Sequence, residues 1–284
     1  MRILSFLVAA FGLATLGLTG LAADRTTLLL GAVALVCAFT TFRAQEISSF
    51  LKIFIAIFSI ELIVFGTGVL VSELGLWPPS LKEYSLPLSL PLTVAVFSIL
   101  VYAVSHVPVI VTMTRIADRF FETNEQTTAR IWPFPTFGTS AHRLARAMVT
   151  FLVLVNQAEV AINVRLSFFS RDWFNAIQAK DAKTFWSLLF TVFLFWAVIF
   201  IAAAVLEYVV QSMLIIRWRR WLTHYYVMHW LDGPTHYRMS LNANNFDNPD
   251  QRISEDVARF LDGGNTGGYG IYSYSILLIS TLSS

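Results

Sequence analysis

Asp247-Asn-Pro-Asp-Gln-Arg-Ile-Ser-Glu-Asp256 is a polar run set between two apolar ones. Upstream lie Phe185–Val210, 26 mostly apolar residues, and the basic aromatic stretch Arg217-Trp-Arg-Arg-Trp221. Downstream, another apolar run opens at Ile271. The order reads as a helix that leaves a bilayer, continues into water, turns through a short polar helix and returns. Asp247 or Asn248 can cap that short helix, and Pro249 suits its first turn, where the missing N–H costs nothing. Ile253, Val257, Phe260 and Leu261 leave one face apolar, while Glu255, Asp256 and Arg259 charge the rest.

Composition points the same way. The chain is 56% apolar and 13% charged, about half the charged fraction usual in soluble proteins. Nearly uncharged runs lie at Ile3–Ala23, Thr26–Phe42, Ile53–Val71, Leu86–Val111, Ala147–Val164 and Phe185–Val210. Each is near the roughly 17–25 residues that carry a helix across hydrocarbon. The expected fold is therefore all-α, a polytopic transmembrane helical bundle with six complete spans. A seventh run, Ile271–Ser284, meets the end of the chain after 14 residues. Stopping there would leave helical carbonyls unpaired in lipid, so the sequence is expected to be an N-terminal fragment of an incomplete bundle. The first run is too long for the core of a cleaved signal peptide.

Orientation follows from the Lys and Arg count on alternate sides of these spans. With the N-terminus in the cytoplasm, fourteen of the 20 basic residues fall inside, among them Arg2, Arg43, Arg115, Arg143, Arg217 and Arg252. The other six are Arg25, Lys82, Arg165, Arg171, Lys180 and Lys183. The positive-inside rule thus places the N-terminus and the 247–256 segment in the cytoplasm. Net charge is only +2 and spread over the loops, so no nucleic-acid partner is expected. The lone Cys37 allows no internal disulfide.

Three blocks organise the chain. Residues 1–111 form an N-terminal hydrophobic region with four spans, and residues 112–146 a cytoplasmic linker with an amphipathic lead-in. Residues 147–284 hold two full spans joined by an outer elbow at Arg165–Thr184, then the short polar helix and the truncated span. Phe185 to Leu231 is 47 residues without proline or glycine, about 70 Å as one helix. A bilayer core takes up only about 30 Å of that, so the rest must stand in water. Trp218, Trp221 and Tyr225 are then expected at the lipid interface beside Arg217, Arg219 and Arg220.

Catalytic chemistry is absent from the pattern. No G-x-x-x-x-G-K-[ST] loop occurs, and Gly263-Gly-Asn-Thr-Gly-Gly-Tyr-Gly270 lacks the lysine that would meet phosphates. His224, His229 and His236 are spaced by five and seven, which does not suit a helical metal pair. Intramembrane polar groups are the transport candidates, because ionisable side chains in hydrocarbon usually face a cavity. Asn156, Glu159 and Asn163 share one helix face and form the candidate translocation pathway; they either line a cavity or hold the bundle together. Glu61 and Glu207 read as interhelical glue.

From Phe168 onward the chain resembles the transmembrane domain of one branch of the ABC exporters. That branch holds the SbmA/BacA peptide transporters, permease–ATPase fusions such as YddA, and the peroxisomal fatty-acyl transporters. The resemblance rests on Ser170-Arg-Asp-Trp-Phe-Asn-Ala176, Arg217-Trp-Arg-Arg-Trp-Leu-Thr223, Trp230-Leu231, Tyr237-Arg238, Asp247-Asn-Pro-Asp-Gln-Arg-Ile253 and Glu255-Asp256. It implies a permease for amphipathic substrates, such as peptides or fatty-acyl compounds, in a bacterial inner membrane. It implies that Asp247, Asn248, Pro249, Asp250, Gln251, Arg252, Glu255 and Asp256 couple to an ATP-binding domain in cis or in trans. It further implies a homodimer, with the lipid bilayer as the other partner. ATP and Mg would sit in that motor domain, and this chain would hold no cofactor. The alternative within the branch is an SbmA/BacA-like transporter, driven by protons without an ATPase domain, in which Glu159 or Glu207 would be the proton carrier.

Overall fold

Helix α3 (Ser49–Glu73) begins where Ser48 accepts hydrogen bonds from the Phe50 and Leu51 N–H groups at 3.2 and 3.4 Å. The structure, a computed structural model, describes residues 1–22, 25–78, 86–129, 135–234, 237–238, 241, 248–262 and 270. The chain forms two units, Met1–Arg146 and Ala147–Ser284.

In the first unit, α1 (Arg2–Ala22) and α2 (Arg25–Arg43) make a tight helical hairpin, and α4 (Ser89–Val104) packs on α2 and α3. Phenylalanines fill the centre: the rings of Phe50 and Phe54 lie 5.2 Å apart, and those of Phe58 and Phe97 5.7 Å apart. Close approach of α1 and α2 depends on missing side chains, a common device where lipid supplies no hydrophobic drive between helices. A Cβ on Gly31 would sit 2.6 Å from Thr15 Oγ1 and 2.7 Å from Leu16 Cγ, whereas one on Gly17 would meet nothing within 4 Å. Gly31→Ala is therefore expected to lower stability by about 1–3 kcal/mol through overpacking. Gly17→Ala should lose nothing. Thermal unfolding of the two purified variants checks this, and equal melting temperatures would contradict the packing.

The fourth apolar run departs from expectation. It is not one straight span over Leu86–Val111: α4 stops at Val104, and α5 (Pro108–Glu122) leaves at 92°. Pro108 is the cause. A residue before proline is pushed out of the α region, and Val107 is extended at φ −71°, ψ 126°. The Ser105 hydroxyl donates to the Tyr102 carbonyl that this break frees. α5 is amphipathic. It buries Thr114, Ala117, Phe120 and Phe121 and supplies a second cap to α3, whose Phe50 N–H donates to Asp118 Oδ1 at 3.0 Å. An antiparallel pair, β1 (Gln126–Ala129) with β2 (Phe137–Ser140), then leads into α6 (Ala141–Gln178).

In the second unit the outer elbow is far shorter than the expected Arg165–Thr184. α6 stays helical to Gln178, and the turn occupies only Ala179, Lys180 and Asp181. The Lys180 N–H donates to the Ile177 carbonyl and the Asp181 N–H to that of Ala176, with Lys180 left-handed at φ 53°. This is the Schellman closure, here without the glycine that usually accommodates the left-handed residue. Asp181 also caps α7 (Ala182–Leu188) by accepting from the Lys183 and Thr184 N–H groups. Hydrogen bonds from Thr184, its hydroxyl first, hold the Asp181 carboxyl below its ordinary range.

A single π-helical turn, Leu189–Phe193, joins α7 to α8 (Leu194–Leu231), and Ala182–Leu231 forms one 50-residue apolar rod. Its C-terminus is set by Asp232 and Gly233, the latter at φ 61°. α9 (Pro249–Asp262) follows. Among the described residues, Arg25–Glu46, Ser49–Glu73, Ala141–Gln178 and Ala182–Leu231 are long and apolar enough to cross a membrane. The bent α4–α5 pair makes a fifth if taken as one span, and Arg2–Leu18 is a shorter apolar helix. The last run, Ile271–Ser284, lies outside the described residues.

Candidate transport and coupling site

Two parts of the second unit carry the polar chemistry. The first is where α6 and α8 run side by side. Near the elbow, aromatic contacts hold α6 to α7 and to the π turn: Trp173 on Phe185 with centroids 5.1 Å apart, and Phe169 on Phe193 at 5.3 Å. Further from the elbow the contact turns polar. The Glu159 carboxyl hydrogen-bonds the Glu207 carboxyl, and the Asn156 amide donates to Glu207 as well. Glu159 Oε1 and Asn156 Oδ1 are buried without a hydrogen-bond partner. Unused acceptors of this kind are expensive in an apolar medium, and they are free to take a proton, a cation or a donor from cargo.

Of the predicted stripe, the structure thus brings Asn156 and Glu159 together and leaves Asn163 apart, exposed on α6. Glu207, read from sequence as glue or as a proton carrier, joins them from α8, although the sequence reading did not pair it with Glu159. A signal was available. Counting outward from Lys180, 24 residues back reach Asn156 and 27 forward reach Glu207. An antiparallel hairpin brings such positions together once its turn is located.

The second part is α9. Ile253 is half-buried, and Val257, Ala258 and Leu261 are buried against α8. The Phe260 ring meets Trp218 edge-on, with centroids 6.3 Å apart and planes at 89°. Trp218 is therefore wholly buried on α8, not at a lipid interface as its basic aromatic surroundings implied. Asn248, Asp250, Gln251, Arg252, Glu255 and Asp256 are exposed, and Pro249, half-buried, opens the helix. Asp247 lies outside the described residues, as does His236. Gln251 donates to Glu255 at 2.7 Å, and Arg259 pairs with Glu255 at 3.6 Å. An exposed pair of this sort adds little stability. The face is ordered and charged without being needed for the fold.

Long apolar helices in two units, with an amphipathic helix carried on one of them, define a polytopic α-helical membrane protein. The chain belongs to the family described as ABC transporter transmembrane region 2, whose model matches residues 134–280. It supplies membrane-spanning, permease structure of an ABC transporter. It is 35% identical over 128 residues to the inner membrane ABC transporter ATP-binding protein YddA of Escherichia coli, covering 43% of this chain and 22% of that protein. It is 30% identical over 139 residues to the chloroplastic ABC transporter D family member 2 of Arabidopsis thaliana, covering 48% and 19%. An uncharacterized ABC transporter ATP-binding protein of Haemophilus influenzae is 27% identical over 160 residues, covering 52% and 26%. The chain thus spans about a quarter or less of the curated relatives it matches. No solved structure matches it.

Proposed function

We propose that this chain is the permease portion of an ATP-driven transporter of amphipathic substrates, peptides or fatty-acyl compounds among them. α9 receives the stroke of an ATP-binding domain on its exposed charged face. The observation that carries this reading is the division of α9: its apolar side is spent on α8, while Asp250, Arg252, Glu255 and Asp256 remain outside. Relatives named as ATP-binding proteins support it. The chain has no phosphate-binding loop of its own, so ATP and Mg would bind the motor domain. The active form is a homodimer in a bacterial inner membrane, with the N-terminus and α9 in the cytoplasm, as the basic residues distribute.

Charge reversal tests it. In the full-length protein, Arg252→Glu or Glu255→Lys should cut transport per ATP hydrolysed by about tenfold, the upper range for a residue on a coupling path. Membrane insertion should stay normal, since these groups lie in water. Unchanged coupling with both reversed would reduce α9 to a surface helix.

One observation favours a second reading. Glu159 and Glu207 set two carboxyl groups beside one another between two apolar helices. A proton-driven transporter without a motor would use such a pair as its proton carrier.

A further inference from the structure

Resting on the coupling role proposed for α9, we infer that Trp218 is a positioning residue that locks α9 onto α8, so that the two helices move as one lever. Trp218 is fully buried, and so are Leu214 and Leu222, one helical turn to either side of it. These three form a stripe at four-residue spacing on a helix that is otherwise open: the apolar window of Ala182–Leu231 has none of its residues buried. Burial on α8 is thus concentrated where α9 lies. From the other side come Val257, Ala258 and Leu261, with Phe260 edge-on to the indole.

The covalent route between the helices is long. Residues 232–248 separate Leu231 from Pro249, and they include Gly233 and Pro234. A force applied to α9 reaches α8 far more directly through the packed indole than along that connection. Close-packed side chains transmit displacement because they have no room to yield. Tryptophan suits this role because it is the largest rigid side chain, with only two rotatable bonds to absorb a push.

The test uses spin labels at Arg220 on α8 and Ser254 on α9, both exposed, in the full-length protein without other reactive cysteines. Distances are measured nucleotide-free and after trapping with ATP and vanadate. The wild-type background should give one narrow distance that is the same in both states. Trp218→Ala and Phe260→Ala should each lose that single distance, and Trp218→Phe should restore it. ATPase kcat should fall about tenfold in Trp218→Ala with KM for ATP unchanged, because the nucleotide site itself is untouched. A narrow distance surviving in Trp218→Ala, a wild-type distance that changes on trapping, or an unchanged kcat overturns the inference. Failure of the coupling role would look different. Charge reversal on α9 would then be silent, or the full-length protein would hydrolyse no ATP, while the distances would still report on Trp218.

Discussion

Glu159→Gln is expected to reduce transport by about ten- to a hundredfold, the worth of a charged contact to cargo that an amide cannot make. Expression and membrane insertion should stay intact. The amide keeps the size of the side chain and can still donate a hydrogen bond to Glu207, but it can carry neither a charge nor an acidic proton. Glu159→Ala should behave alike, and Glu207→Gln should match it, since each removes one half of a single pair. The double variant should be little worse than either single one, because groups acting as a unit are not additive. Initial uptake rates in proteoliposomes measure all four. Losses that multiply would mean two independent sites, and no loss would leave the pair as packing. Dissipating the proton gradient sharpens the result: ATP-driven transport should persist without it. Collapse of wild-type transport, mimicked by Glu159→Gln, would select the proton-driven reading.

The second large effect is one of sidedness. A topology reporter fused after Arg130 is expected in the cytoplasm and one fused after Lys180 outside, a nearly complete difference in labelling. The proposed orientation follows from the Lys and Arg distribution, and α6, with 38 residues, is long enough to cross between the two positions. The 92° turn into α5 adds a physical check. α4 has 16 residues, about 24 Å of helix, somewhat less than the roughly 30 Å of hydrocarbon. Reversed labelling at both positions would refute the orientation and the coupling role of α9 with it. Labelling on one side at both would deny that α6 crosses.

Much of this architecture was readable in the residues, for reasons that differ from place to place. Apolar runs and their lengths announced most of the helices because hydrocarbon demands continuous apolar surface. The face of α9 was legible because Ile253, Val257, Phe260 and Leu261 repeat at helical spacing and a proline opens the helix. The break before Pro108 was legible in principle, yet the surrounding apolar residues masked it: hydropathy does not register that a proline forces its predecessor out of the helix. The elbow was obscured because Lys180 occupies a left-handed position that glycine would have marked. With the elbow misplaced, the register between α6 and α8 was unknown, and Glu207 could not be matched to Glu159. Trp218 was misread for another reason. A tryptophan flanked by arginines looks the same in sequence whether it meets headgroups or a neighbouring helix, and only tertiary packing separates the two.

The π turn at Leu189–Phe193 holds one residue more than an α-helical turn would need. Everything beyond it in α8 is therefore offset in phase from α7 by one position, about 100° around the axis. Glu207, Leu214, Trp218 and Leu222 keep their bearings only while that extra residue stays looped out. Were the turn to relax to regular helix without losing a residue, α8 would rotate like a key. Glu207 would swing away from Glu159, and the Trp218 stripe would turn with it. Deleting one residue from the turn would instead leave both bearings as they are. The chain thus contains a rotational index mark, and the polar pair and the α9 contact are read from the same setting of it.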